Sequence, residues 1–228
     1  MSVILSLETS TDVCSVAFHQ NDSLLADFNL RIEKAHSKSL ANLVDIGFKH
    51  TRIDKKELSA IAISSGPGSY TGLRIGTSLA KGMCFSLDIP LIEVNSLMGM
   101  AQGVHNIISS DTLLCPMIDA RRMEVYCLIV DSQMNTLAST KSQVVDKDSF
   151  SDFLENDEVL FFGNGAAKCK SLLGSKKNAK FIDDFKMSAA DIGQLAVKKF
   201  KINEFADLTY FEPNYLKQFI AGKPKSLI

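Results

Sequence analysis

The stretch SSGPGSYTGLRIGTSLAKG, Ser64–Gly82, has the plainest chemical potential in the chain. Glycines that end an apolar run and feed a helix can turn backbone amides toward an anion. A P-loop would need G-x-x-x-x-G-K-[ST], whose lysine and hydroxyl serve phosphate and magnesium. Counted from Gly66 the sixth position is Thr71, and counted from Gly68 it is Leu73, so neither frame fits. The dinucleotide pattern G-x-G-x-x-G fails too, because Gly72 arrives one residue late. A generic anion site at a helix start is what survives. A second constellation consists of Glu8 in LET, Asp119 in MID, and Gly163 and Gly165 in FFGNGAAK. Each acid ends an apolar strand, and each has two readings: a group facing a cleft near metal and phosphate, or a carboxylate capping its own turn. His19, His36, His50 and His105 lie on separate elements with no i, i+4 pair, the spacing that would hold a metal on one helix face.

The elements that must position these residues repeat one order. VILSLET, CSVAFH and LLADFNLRI read as strands, the last two joined by a turn at Asn21 and Asp22. A helix over 37–50, the strand AIAIS, the helix after the glycine loop, the strand PLIEV and a helix over 96–108 complete βββαβαβα. From Thr112 the same order returns: TLLCPMI, EVYCLIV, TLASTKSQVV, a helix in DSFSDFLEN, EVLFFG, a helix from Gly165, KFID and SAADIGQLAVKKF. A duplication at half the chain length predicts two similar α/β lobes, 1–109 and 110–228, around a cleft, as in the actin and hexokinase architecture. Glu8, Asp119, Gly163 and Gly165 then form a vestigial nucleotide site, because the first hairpin, STDVCS, lacks the glycine that lets phosphate approach the backbone. That missing glycine also weighs against the rival reading of the chain as an ATP-dependent enzyme acting alone.

The helix after the loop is apolar on more than one face. Gly72, Gly76, Ala80 and Cys84 follow four-residue spacing beside a stripe of Ile75, Leu79, Met83 and Leu87. Covering a sheet takes one face, so the small-residue stripe predicts close approach by another helix, in this chain or in a partner, with packing inside the chain the commoner cause. The preceding helix adds Leu40, Leu43, Val44 and Gly47. Together Leu40, Leu43, Val44, Gly47, Gly72, Leu73, Gly76, Leu79, Ala80 and Met83 predict half of a four-helix partner interface.

Composition narrows the partners. Basic and acidic residues number 25 and 26, a net charge of -1, so the chain carries no broad positive field for nucleic acid. Five cysteines, spread among apolar residues with no C-x-x-C, predict reduced core thiols. No run of eighteen apolar residues and no basic leader occur, which points to the cytoplasm and away from a membrane.

SGPGSYTGLRIGTSLAKG, ILSLETSTDVCSVAF, DARRMEVY and EPNYLK together resemble the TsaB, or YeaZ, family across residues 3–217. Glu8 stands where an aspartate is usual, and Lys217 where an arginine is usual. The resemblance implies a duplicated actin-like fold of the ASKHA, ribonuclease H-like type. It implies a non-catalytic subunit, with no catalytic residue and no metal ligand of its own, in formation of N6-threonylcarbamoyladenosine at position 37 of ANN-decoding tRNAs. The expected partners are the catalytic paralogue TsaD and the ATPase TsaE, with a homodimer in isolation and tRNA met only through the complex. ATP or ADP is expected at low affinity or through partner subunits. TsaD carries an H-x-x-x-H metal pair, and Ser96 and Met100 stand at those two positions here.

Overall fold

A computed structural model of the chain describes residues 2–32 and 35–217. Among these residues ten strands form two five-stranded sheets, one from each half of the sequence. In the first half, β1 (Val3–Glu8), β2 (Cys14–Gln20) and β3 (Ser23–Leu30) form an antiparallel meander, and β4 (Ala60–Ser64) and β5 (Leu91–Val94) extend it in parallel, in the order β3-β2-β1-β4-β5. β6 (Thr112–Asp119), β7 (Glu124–Val130), β8 (Thr136–Val144), β9 (Glu158–Phe162) and β10 (Ala179–Phe181) repeat this as β10-β9-β6-β7-β8. This is the duplicated two-lobe α/β architecture that the repeated element order predicts. Each first strand is central and flanked on both sides, and β1 is accordingly buried at every residue, the polar Ser6 and Glu8 included, rather than alternating. The edge strands β3 and β8 instead alternate between exposed and half-buried positions.

Helices occupy the intervals the sequence assigns them: α1 (His36–Thr51), α2 (Tyr70–Leu87), α3 (Ser96–His105), α4 (Ser151–Leu154), α5 (Ala166–Leu173) and α6 (Ala189–Lys201). α1 stops where Arg52 turns to φ 59° and its N–H bonds Phe48 O. α2 starts where the Ser69 hydroxyl accepts the Gly72 N–H, and it stops at Asp88 with φ 52°. α3 is shorter than its apolar pattern suggests and ends at the His105–Asn106 junction. α4 is a single turn.

Packing runs through the lobes rather than within each. α1 and α2 cover the outer face of the first sheet, where Leu5, Leu7, Val16, Phe18, Ile61 and Ile63 meet Leu40, Val44, Phe48, Ala80 and Cys84. The outer face of the second sheet packs against α4 and α5. Between the sheets lie α3 and α6, sharing one core with Ile4, Ala62, Ile92, Leu114, Ile118 and Phe162. Helix α6 comes from the second half yet packs on β1 and β2, while α3 comes from the first half and packs on β6. The cores are therefore interlocked by an exchange of helices. After α6 the chain returns to the first lobe: Ala206 bridges Leu91, Phe211 enters the outer core, and Lys81 on α2 donates to Thr209 O and Phe211 O. From residue 218 onward the C-terminal extension lies outside the described residues.

All five cysteines are free and buried, and burial pushes the Cys84 thiol up to about 12 and the Cys14 and Cys169 thiols up to about 11. No helix among the described residues is long and apolar enough to cross a membrane.

Candidate functional site

The glycine loop is spent on backbone proximity. Ser69 N–H donates to Ser10 O at 2.7 Å, tying the start of α2 to the turn between β1 and β2. A Cβ on Gly68 would lie 2.3 Å from Ser10 O, one on Gly72 2.0 Å from Thr9 O, and one on Gly76 2.3 Å from Thr9 Oγ1 and 2.9 Å from Ile63 Cδ1. These are distances no side chain tolerates, so glycine is required for α2 to lie on the end of β1. Carbonyls of the turn thus face the helix start where an anion would have stood.

This corrects the sequence-based interface. Leu40, Val44, Gly47, Gly72, Leu73, Gly76 and Ala80 are buried inside the chain and face its own sheet. Gly47 makes room for the Phe18 ring, whose nearest carbon would be 2.2 Å from a Cβ there. Small residues at four-residue spacing report close approach by any backbone, and here that backbone is the end of β1. Leu43, Leu79 and Met83 behave differently: they are half-buried, with Ile75 and Leu87 beside them and Ile46 exposed. A partly open apolar face remains along the α1–α2 groove, formed by the large stripe rather than the small one. Phe85, farther along α2, is 83% exposed.

The vestigial nucleotide constellation also divides. Glu8 is fully buried, and its Oε1 accepts both Ser10 N–H at 2.7 Å and Ser10 Oγ–H at 2.6 Å, while Oε2 has no hydrogen-bond partner among the described residues. Burial raises its pKa above the ordinary carboxylate value, with the bonds from Ser10 opposing the rise. Glu8 caps its own turn and is absent from the cleft wall. Gly163, at φ 100°, and Gly165 serve close packing: a Cβ would meet Met117 O at 2.4 Å from the first and Ile118 C at 2.9 Å from the second. Asp119 alone of the four lines the interlobe cleft.

That cleft has a volume of about 730 Å³ and is walled by the β1–β2 turn, the loop leading into α2, the β6–β7 turn, Asn164 and the segment Asn214–Lys217. Its second-lobe wall is built around Lys168, whose Nζ contacts Asp119 Oδ1 and donates to Arg122 O at 2.7 Å and Glu124 O at 2.6 Å. Asp119 Oδ1 also accepts Arg121 N–H at 2.8 Å, and Asn164 Oδ1 accepts Asp119 N–H at 2.9 Å. Lys217 pairs with Glu124, and this pairing and the Ser142 hydroxyl hold the Glu124 carboxyl below its ordinary pKa. On the first-lobe side, Asn214 N–H donates to Ser65 O at 2.7 Å, and the Tyr215 ring lies 4.7 Å from that of Tyr70. Residues 214–217 therefore form a strap from one lobe to the other, which sequence patterning alone did not reveal. A smaller apolar cavity, about 130 Å³, adjoins the turn between Met100, Phe185 and Met187.

The two positions aligned with a metal pair have structural duties. Ser96 Oγ accepts Gly66 N–H at 3.1 Å, and Met100 is a core residue against Gly163.

Comparisons with known proteins agree with this geometry. Residues 30–221 match the family model described as TsaD, tRNA N6-adenosine threonylcarbamoyltransferase. A Bacillus subtilis protein, "tRNA threonylcarbamoyladenosine biosynthesis protein TsaB", is 31% identical over 94% of this chain and 93% of its own length. A Haemophilus influenzae protein of the same description is 26% identical over 96% and 95%. A solved Pseudomonas aeruginosa structure, described as similar to the peptidase YEAZ, superposes with a TM-score of 0.85 at 24% identity, covering 95% of this chain and all of that one, which supports the fold.

Proposed function

This chain belongs to the TsaB family, and from that membership we propose the following role for it within tRNA threonylcarbamoyladenosine biosynthesis. It is a non-catalytic subunit that pairs with TsaD, recruits TsaE, and is required for modification of position 37 in ANN-decoding tRNAs. The pairing surface is the α1–α2 groove, read now from Leu43, Leu79 and Met83 with Ile46 and Ile75, the residues the fold leaves partly open. Such a stripe gains from being covered, since each square ångström of apolar surface removed from water contributes about 25 cal/mol. In isolation the same stripe favours a twofold homodimer. ATP or ADP is met at low affinity or through the partner subunits, in keeping with a first-lobe turn whose acid is buried on itself. Family membership carries the role, and the half-buried stripe carries the choice of pairing surface.

The test combines co-purification with a tRNA modification assay. Met83→Glu is expected to weaken association with TsaD at least about tenfold, about 1.4 kcal/mol, while leaving the melting temperature of the isolated chain unchanged. The modification reaction is expected to need this chain, and the chain alone to be silent. Catalytic ATP hydrolysis or threonylcarbamoyl transfer by the purified chain would overturn the role.

A further inference from the structure

Arg121 and Arg122 in the β6–β7 turn are explained neither by packing nor by the pairing groove. Both have positive φ, 67° and 47°. Residues with a Cβ are strained there, and glycine or asparagine accept the conformation far more readily. The strain persists because the turn is held from beneath: Lys168 Nζ binds Arg122 O, Asp119 Oδ1 binds Arg121 N–H, and Ala120 N–H donates to Glu124 O at 3.0 Å. The framework thus fixes the backbone and presents two arginines, both exposed, at the cleft.

The charges around them cancel in pairs. Asp119 is taken by Lys168 and Glu124 by Lys217. Among the described residues neither Arg121 nor Arg122 takes part in an ion pair. Of the charged residues lining the cleft, two guanidinium groups therefore stand against the single unpaired carboxylate of Asp12. The opposite wall supplies hydroxyls from Thr11, Ser69 and Thr71, the Ser10 hydroxyl being taken by Glu8. Planar guanidinium donors facing hydroxyls suit a phosphoryl group, which accepts bidentate bonds from arginine.

We propose that the Arg121–Arg122 turn is a phosphate-binding site on this chain, with an RNA backbone as the phosphate source. The choice of an RNA backbone rests on the proposed function, whose tRNA substrate brings phosphates to this chain, and both arginines are exposed at the cleft mouth to meet them. A free nucleotide shares the chemistry and is separated by the experiment. The proposal is independent of the pairing groove and can fail or hold without it.

The experiment uses the full chain and the double variant Arg121→Asn/Arg122→Gly, which keeps the turn and removes both guanidinium groups. An in vitro tRNA transcript and ATP are titrated separately at several salt concentrations, with Lys177→Ala as a control for loss of an exposed charge elsewhere. The variant is expected to bind tRNA about tenfold more weakly, with a salt slope smaller by about 1–2, while its melting temperature rises about 2–4 °C as strain is relieved. ATP binding that is lost in the variant would keep the phosphate site and transfer its source to the nucleotide, overturning the RNA assignment. Equal tRNA and ATP binding by both proteins, an equal loss in Lys177→Ala, or a lowered melting temperature in the double variant would overturn the site.

Discussion

The two lobes share a topology but treat the end of their first strand in opposite ways. In the first lobe Glu8 folds back onto Ser10, fully buried, and the start of α2 closes over the turn through Ser69. In the second, Asp119 lines the cleft, carries Lys168, and supports a strained pair of arginines. Both lobes use glycine to bring a helix onto that strand end, Gly72 against Thr9 O and Gly165 against Ile118 C. A repeated fold therefore conserves the contact between helix and strand while leaving the acid beside it free to serve either stability or a ligand. Burial distinguishes the two outcomes.

The most disruptive way to probe this difference is Gly76→Leu. Sequence patterning would place that side chain in a partner's groove and leave the monomer intact. The structure puts it into Thr9 and Ile63, so we expect a loss of about 3 kcal/mol or more, read as a lower urea midpoint of the isolated chain. An unchanged midpoint would return Gly76 to the surface and erase the closed character of the first turn.

A smaller effect tests the acids held beneath the closed lobe. Asp191, in the first turn of α6, is half-buried, and burial raises its pKa to about 7, with the charges of Asp27 and Glu8 adding to the rise. A carboxyl whose folded pKa exceeds its unfolded one gives full stability below about pH 4, which declines as pH rises toward 7. Asp191→Asn is expected to stabilise the protein by about 1–3 kcal/mol at pH 8 and to change nothing at pH 4, as followed by urea melts. A gain independent of pH would show that ionisation is not its cause.

The smallest expected effect belongs to the open lobe. Asp119→Asn removes an ion pair with a side chain 47% exposed, so a loss of about 0.5–1 kcal/mol that shrinks in high salt is expected from thermal melts. A loss as large as that of Gly76→Leu would make the second turn as structural as the first.

Much of this arrangement was legible in the residue pattern. The duplicated strand and helix order survives almost element by element, because apolar runs, period and turn residues are local signals. α1, for example, is bounded within a residue at each end of its expected interval. What patterning did not decide was the neighbour. Gly72 and Gly76 announce a close approach, but their partner, Thr9 just after β1, lies some sixty residues away in sequence. Glu8 had two readings, and only its bonds to Ser10 and its burial select the cap. The positive φ of Arg121 and Arg122 has no local marker, since neither residue favours it; the geometry is imposed by Lys168 from another element.

The exchange of α3 and α6 between sheets bears on how the chain is made. A first sheet emerging from the ribosome has α1 and α2 for one face, but its other face waits for α6, which ends at Lys201. The amino-terminal half therefore leaves the exit tunnel with an apolar face uncovered, and its final core closes only when nearly the whole chain has been translated. Contacts so distant in sequence slow folding and prolong the exposure of sticky surface. The interlock that makes the finished molecule a single unit also leaves the inner face of its first sheet uncovered until α6 has been made.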